Sequence, residues 1–354
     1  MRVALVYDRL NKIGGAEAVL IEFSKLFPDA DWYTSVWEPS KTPFTKNWKI
    51  YTSWLNKIKF FRTHHELIPF LMPFIFESFD FSPYDLVISV GSAESKGIIT
   101  RPGTIHLNYC LTPTRYLYSH AGEYLSNPVY RVIGSVLRKW DAVASSRPDI
   151  MIAISTQVKK RIKNVYNREV DIIFPPVDTA KFKIKSSYIP PYTNYYLTVS
   201  RLVAYKKIEV LIKAFNQNGK TLLIIGEGAE YDKLKKLAKD NVHLIGSASE
   251  EKLIGYYQHA RAFLQANEED FGIAMVEAQS AGIPVIAYCE GGASDIVINR
   301  KTGILVEHSS PGDFNRAVDM LKTLTFDREG CRTNAARFDK ALWINQIKKR
   351  IKEL

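Results

Sequence analysis

The chain has 354 residues, 46% of them apolar and 24% charged, with 48 Lys and Arg against 37 Asp and Glu for a net charge of +11. That length predicts about two domains, each able to bury its own core, and the composition excludes long disorder, collagen-like repeats and coiled coil. The three cysteines, Cys110, Cys289 and Cys331, are too few and too scattered for a disulfide framework or a zinc cluster, and point to a reducing, cytoplasmic compartment.

Met1-Arg2 leads straight into an apolar run that ends at Asp8, which reads as a strand over 2–8 rather than a secretory leader. A loop from Arg9 to Gly15 follows, then a helix with Val19, Leu20, Phe23, Leu26 and Phe27 on one face. Asp29-Ala30-Asp31 formally fits the Asp-x-Asp pair of metal-dependent transferases, but it follows Pro28 with no strand leading into it and reads as a solvated turn. From Phe44 to Arg62 basic and aromatic residues interleave. Three readings stand: rings and cations resting on an anionic membrane surface, a nucleic-acid contact, or a solvated face over a buried aromatic core. The stretch Leu67 to Phe76 contains Pro69 and Pro73 and has about half the length that crosses a bilayer. Strands are expected at 85–90, 104–109 and 150–154, with His106 a core histidine; His64, His65 and His243 lack metal-ligand spacing.

Phe174-Pro175-Pro176-Val177-Asp178 forbids helix and supplies a linker region. A second series begins with a strand at 195–200 and a helical face at Ile208, Leu211, Ile212 and Phe215, then strands near 221–225, 242–245, 262–266, 284–288 and 303–306. The alternation predicts an α/β protein of two Rossmann-like, doubly wound parallel sheets, with ligand at the carboxyl ends of their strands, facing across a cleft. The expected divisions are 1–178, 179–330 and a helical segment 331–354, whose stripe of Trp343, Ile347 and Ile351 closes the chain or crosses back to the first domain.

The chemistry concentrates in Glu269-Asp270-Phe271-Gly272-Ile273-Ala274-Met275-Val276-Glu277, where two carboxylates stand eight residues apart. Between them a helix begins, and its amides offer unsatisfied N–H groups to a phosphate. Gly272 permits close approach, and a carboxylate in the following turn can accept two hydrogen bonds from a ribose diol. One helix start can thus grip both the diphosphate and the sugar of a nucleotide.

The run from Glu269 to Ala287 closely resembles the Glu-x7-Glu region of retaining glycosyltransferase family 4, of GT-B fold. Ser200-Arg201-Leu202-Val203-Ala204-Tyr205-Lys206-Lys207 resembles the family's diphosphate motif, and Gly291-Gly292-Ala293 its glycine-rich turn. Gly14-Gly15-Ala16-Glu17, Thr112-Pro113-Thr114-Arg115-Tyr116 and Pro175-Pro176-Val177-Asp178 extend the likeness over most of the chain, in detail most like bacterial O-antigen and surface-polysaccharide mannosyltransferases.

The resemblance implies a first domain that binds acceptor and a second that binds a nucleotide sugar, with no metal or other cofactor required. Arg201 and Lys206 match the cations that neutralise the donor diphosphate, Glu277 the acid on the ribose, and Glu269 the acid on the transferred sugar. Phe271, Gly272 and Ile273 match backbone contacts. Charge-assisted bonds of this kind are worth roughly 1.5–3 kcal/mol each. Gly14, Gly15 and Arg115 are expected on the acceptor side, although a plain tight turn and a structural arginine are the alternatives. Leu111 stands where many relatives carry His, which leaves the leaving phosphate to accept the acceptor's proton.

The implied activity is transfer of a hexose, mannose from GDP-mannose, to a lipid-linked saccharide by a peripheral enzyme on the inner face of the cell membrane. UDP-glucose, UDP-galactose or UDP-N-acetylglucosamine is the alternative donor, and a non-catalytic nucleotide-sugar scaffold the alternative class. Nucleic acid is not an expected partner. A dehydrogenase is disfavoured because no Gly-x-Gly-x-x-Gly follows the first strand.

Overall fold

The computed structural model describes residues 1–12, 14–64, 67–119, 121–124 and 128–353. These form two units, one of Met1–Phe174 together with the residues from Ile344 on, the other of Pro175–Trp343.

In the first unit, β1 (Val3–Tyr7), β2 (Asp31–Thr34), β3 (Lys49–Thr52), β4 (Leu86–Gly91), β5 (Ile105–Cys110), β6 (Ile150–Ala153) and β7 (Asp171–Ile172) make one sheet in the order β3-β2-β1-β4-β5-β6-β7. Every pairing is parallel. The inner strands are continuous apolar runs, the pattern of a sheet covered on both faces. Val6 and Val87 pack with Phe76, Phe81 and Tyr84 in one core cluster.

In the second unit, β8 (Tyr196–Val199), β9 (Leu222–Ile225), β10 (Val242–Gly246), β11 (Phe263–Gln265), β12 (Val285–Tyr288) and β13 (Gly303–Val306) make a parallel sheet in the order β10-β9-β8-β11-β12-β13. The helix Ile208–Asn218 lays Leu211, Ile212 and Phe215 on Leu222, Ile224 and Leu264. The α/β architecture of two parallel, doubly wound sheets is thus present as the alternation predicts.

Both sheets reverse strand order beside their first strand, between β1 and β4 and between β8 and β11. At such a point the connections leave for opposite faces and open a crevice at the carboxyl ends, where ligands of this architecture bind. The closing helix Lys340–Lys352 forms as the stripe predicts, with Trp343 and Ile347 buried.

Two local expectations change. Asp29-Ala30-Asp31 is not a solvated turn throughout, because Asp31 opens β2 and is buried. Its carboxylate accepts from Tyr84 Oη at 2.7 Å, pairs with Lys49 Nζ at 2.7 Å and lies 3.3 Å from Arg2 Nη2. Partners 18 to 53 residues away compensate its burial. The basic and aromatic segment divides in two. Trp48 stacks on Trp32 with ring centroids 3.9 Å apart, and Phe44 meets it edge-on, so this end is core packing. Trp54, Lys57, Ile58, Lys59 and Phe60 are exposed.

Candidate active site

At the switch point of the second sheet, the chain leaves β8 as Ser200-Arg201-Leu202 and tightens into a 3-10 turn at Ala204–Lys206 before the helix Ile208–Asn218. Lys207 takes a left-handed conformation to start that helix. The turn carries Lys206 inward, its side chain 12% exposed, and its Nζ donates to Glu269 Oε1. Arg201 is exposed, and its Nη2 donates to Tyr205 Oη at 2.6 Å. Tyr205 also sets its ring 5.3 Å from Lys206 Nζ, a cation–π distance. One tyrosine therefore touches both cations of the motif.

Glu269 lies four residues beyond the end of β11, in the segment that leads to the helix Ile273–Ser280. Its backbone is pinned by the glycine-rich turn. Gly292 N–H donates to Glu269 O at 2.9 Å, and a Cβ on Gly291 would stand 2.2 Å from that same oxygen. Gly291 has φ +81, so the position excludes other residues on both conformation and space. Gln265, buried at the end of β11, donates from Nε2 to Glu269 Oε1 at 3.2 Å and to Asn267 Oδ1.

The helix Ile273–Ser280 begins at Gly272, whose φ of +104 favours glycine. Its first N–H groups lack intrahelical acceptors. The Phe271 side chain is buried edge-on against Phe338, so this residue can offer a ligand only its backbone. Glu277 sits in the second turn and makes its hydrogen bond to Tyr257, whose hydroxyl donates to Oε2 at 3.0 Å. Surrounding protein raises the Glu277 carboxyl above its ordinary range, opposed by the Tyr257 bond. Of the sequence-selected residues, the structure brings Lys206 and Glu269 into contact, ties Arg201 to Tyr205, and places Glu277 on Tyr257.

In the first unit, Gly14 caps the helix Gly15–Leu26 in extended backbone. A Cβ there would lie 3.3 Å from Glu17 Oε2. Glu17 is buried, accepts from Tyr7 Oη at 3.3 Å, and burial raises its carboxyl. Arg115 lies in the turn after β5, partly exposed, beside Thr114, whose hydroxyl donates to the buried Asp141 at 2.7 Å. Tyr116 donates to the buried Glu94. His106 is wholly buried and shares a 2.7 Å hydrogen bond with Ser89, the core residue predicted. Desolvation pushes its imidazole down to about 3. His65 lies outside the described residues. Among the described residues no group of His, Cys, Asp and Glu is arranged to hold a metal ion.

Sequence reading did not single out Gln265, Tyr257 or the role of Tyr205. A polar residue closing the apolar run Ala262-Phe263-Leu264 was the available signal for Gln265. Nothing local marks Tyr257, whose partner is 20 residues away.

Residues 180–338 match the family described as "Glycosyl transferases group 1". A GDP-mannose-dependent alpha-(1-6)-phosphatidylinositol monomannoside mannosyltransferase of Mycobacterium tuberculosis is 27% identical over 244 residues, covering 61% of this chain and 62% of that protein. The chain thus spans about three fifths of the length of this relative. Among solved structures, Anabaena HepE in complex with UDP superposes with a TM-score of 0.73 at 16% identity over the whole of both chains. Sucrose-phosphate synthase from Thermosynechococcus elongatus gives 0.76 at 18%, covering 100% of this chain and 99% of that one. The architecture is that of GT-B glycosyltransferase structures, and residues 180–338 match the group 1 glycosyltransferase family.

Proposed function

We propose that this chain is a retaining glycosyltransferase that moves a hexose, mannose from GDP-mannose, onto a lipid-linked saccharide. The observation that carries the reading is the contact of Lys206 with Glu269 at the switch point of the second sheet, a cation and a carboxylate positioned at the carboxyl ends of β8 and β11. Lys206 and Arg201 hold the donor diphosphate, Glu277 accepts the ribose hydroxyls, and Glu269 receives a hydroxyl of the transferred sugar. Phe271, Gly272 and Ile273 contribute backbone N–H groups.

In the reaction the bond from the anomeric carbon to the diphosphate oxygen breaks, and a bond to the acceptor oxygen forms on the same face. The acceptor's proton passes to the departing phosphate oxygen. Fixed cations stabilise the negative charge that gathers on the nucleoside diphosphate. Gly14, Gly15 and Arg115 border the acceptor in the first unit, which binds the lipid-linked saccharide. The exposed Trp54, Ile58 and Phe60 beside Lys57 and Lys59 suit an anionic membrane, supporting peripheral association with the inner face of the cell membrane. No helix among the described residues is long and apolar enough to cross one.

The likeness to the mycobacterial mannosyltransferase supports GDP-mannose as donor. The likeness to HepE, solved with UDP and glucose, supports UDP-glucose as the second reading. The test is incubation of the protein with each donor and a polyprenyl-linked saccharide. A product with the donor's anomeric configuration is expected from GDP-mannose; inverted configuration, or no transfer from either donor, contradicts the proposal.

A further inference from the structure

Gln265 closes β11 with its side chain buried, 2% exposed as a residue. An amide nitrogen has two hydrogens to give. Here the two acceptors within reach are Asn267 Oδ1 and Glu269 Oε1. Asn267 is itself buried and donates from Nδ2 to Glu268 O at 2.9 Å, so the amide is anchored to the segment it serves. Glu269 Oε1 also accepts from Lys206 Nζ. Two donors from different elements converge on one carboxylate oxygen, which fixes the position of that oxygen. The other oxygen, Oε2, takes no hydrogen bond among the described residues.

We infer that Gln265 is a positioning residue that holds Glu269 with Oε1 inward and Oε2 presented to a hydroxyl of the transferred sugar. The inference rests on the function proposed above and deepens it. Lys206 has two anionic partners to serve, Glu269 and the incoming diphosphate. A lysine ammonium on a flexible stem can divide its three hydrogens between them, and the geometry of Glu269 would then loosen. Gln265 carries no charge, does not reach for the diphosphate, and sits at the end of a strand. It keeps the carboxylate in place when Lys206 turns to the donor.

Calorimetric titrations with GDP, GDP-mannose, UDP and UDP-glucose test this on the full chain, comparing wild type with Gln265→Leu and Gln265→Met. Affinity for the sugar nucleotide should fall about tenfold in both variants, the loss of one hydrogen bond to a charged group, with affinity for the matching nucleoside diphosphate unchanged. In Glu269→Ala, adding Gln265→Leu should cost nothing further, because the glutamine acts through the glutamate. Equal losses for diphosphate and sugar nucleotide, or additive losses in the double variant, would give Gln265 a structural role only and overturn the inference. Wild type that binds neither sugar nucleotide would remove the functional reading and the inference with it; wild type that binds one while the variants match it removes the inference alone.

Discussion

In the role proposed for it, Glu277 must keep its charge and its orientation to grip a sugar diol, and these demands conflict. Protein packed around it raises its proton affinity, while the Tyr257 hydroxyl at 3.0 Å favours the charged form and fixes Oε2. Tyr257→Phe should therefore weaken nucleoside diphosphate binding by about 0.5–1.5 kcal/mol, read by calorimetry, with the greater loss at lower pH where Glu277 protonates more readily. Unchanged affinity across pH would mean that Glu277 does not face the nucleotide. His106 makes the opposite case, a titratable group whose environment refuses charge. Its folded value of about 3 lies below the ordinary 6.5, so on acidification the unfolded chain takes up a proton that the folded chain does not. Its contribution erodes as pH falls from 6.5 toward 3, by at most about 1.4 kcal/mol per pH unit. Chemical denaturation should show a flatter acid limb over that window in His106→Gln than in wild type. Parallel limbs would place the histidine's charge elsewhere.

Among the elements, the turn after β12 is where backbone geometry bears most directly on the site. Gly291 and Gly103 both have positive φ, +81 and +89, but a Cβ at Gly103 meets nothing within 4 Å whereas one at Gly291 meets the Glu269 carbonyl. Gly103→Ala should cost about 1–2 kcal/mol of stability from conformation alone. Gly291→Ala should cost more and also impair donor binding, since the clash displaces Glu269. Equal costs with intact binding would detach the turn from the site. The elements also mark where sequence is legible. Apolar runs such as Val3–Tyr7 and Leu86–Gly91 announce buried parallel strands without help. β2 and β3 do not, because β2 begins with an acid paired with Lys49 and Arg2 and hydrogen-bonded by Tyr84 from elsewhere, and β3 is an edge strand with Lys49 and Tyr51 outward.

For the whole molecule, the six strands of the second sheet repeat the order of the first six strands of the first, and Lys206 and Glu269, both chosen from sequence motifs, meet at the switch point of the second. Glu269 was legible because two carboxylates flanking a helix start carry the chemistry, and Lys206 because its motif resembles that of a known family. Gln265, Tyr205 and Tyr257 were not, because what defines them is a bond across the fold, from Gln265 to Glu269, from Tyr205 to two cations, and from Tyr257 to Glu277. The proposed function depends on fixed positive charge receiving a diphosphate in the second unit. The most direct measurement is the binding of GDP, UDP and ADP and their sugar conjugates to wild type, Arg201→Ala and Lys206→Ala, followed by thermal shift, since a ligand selective for the native state raises its stability by mass action. The largest shift is expected with GDP or GDP-mannose, and its loss in both variants. An equal shift with every nucleotide would contradict the donor assignment, and shifts that survive in both Arg201→Ala and Lys206→Ala would contradict the site itself.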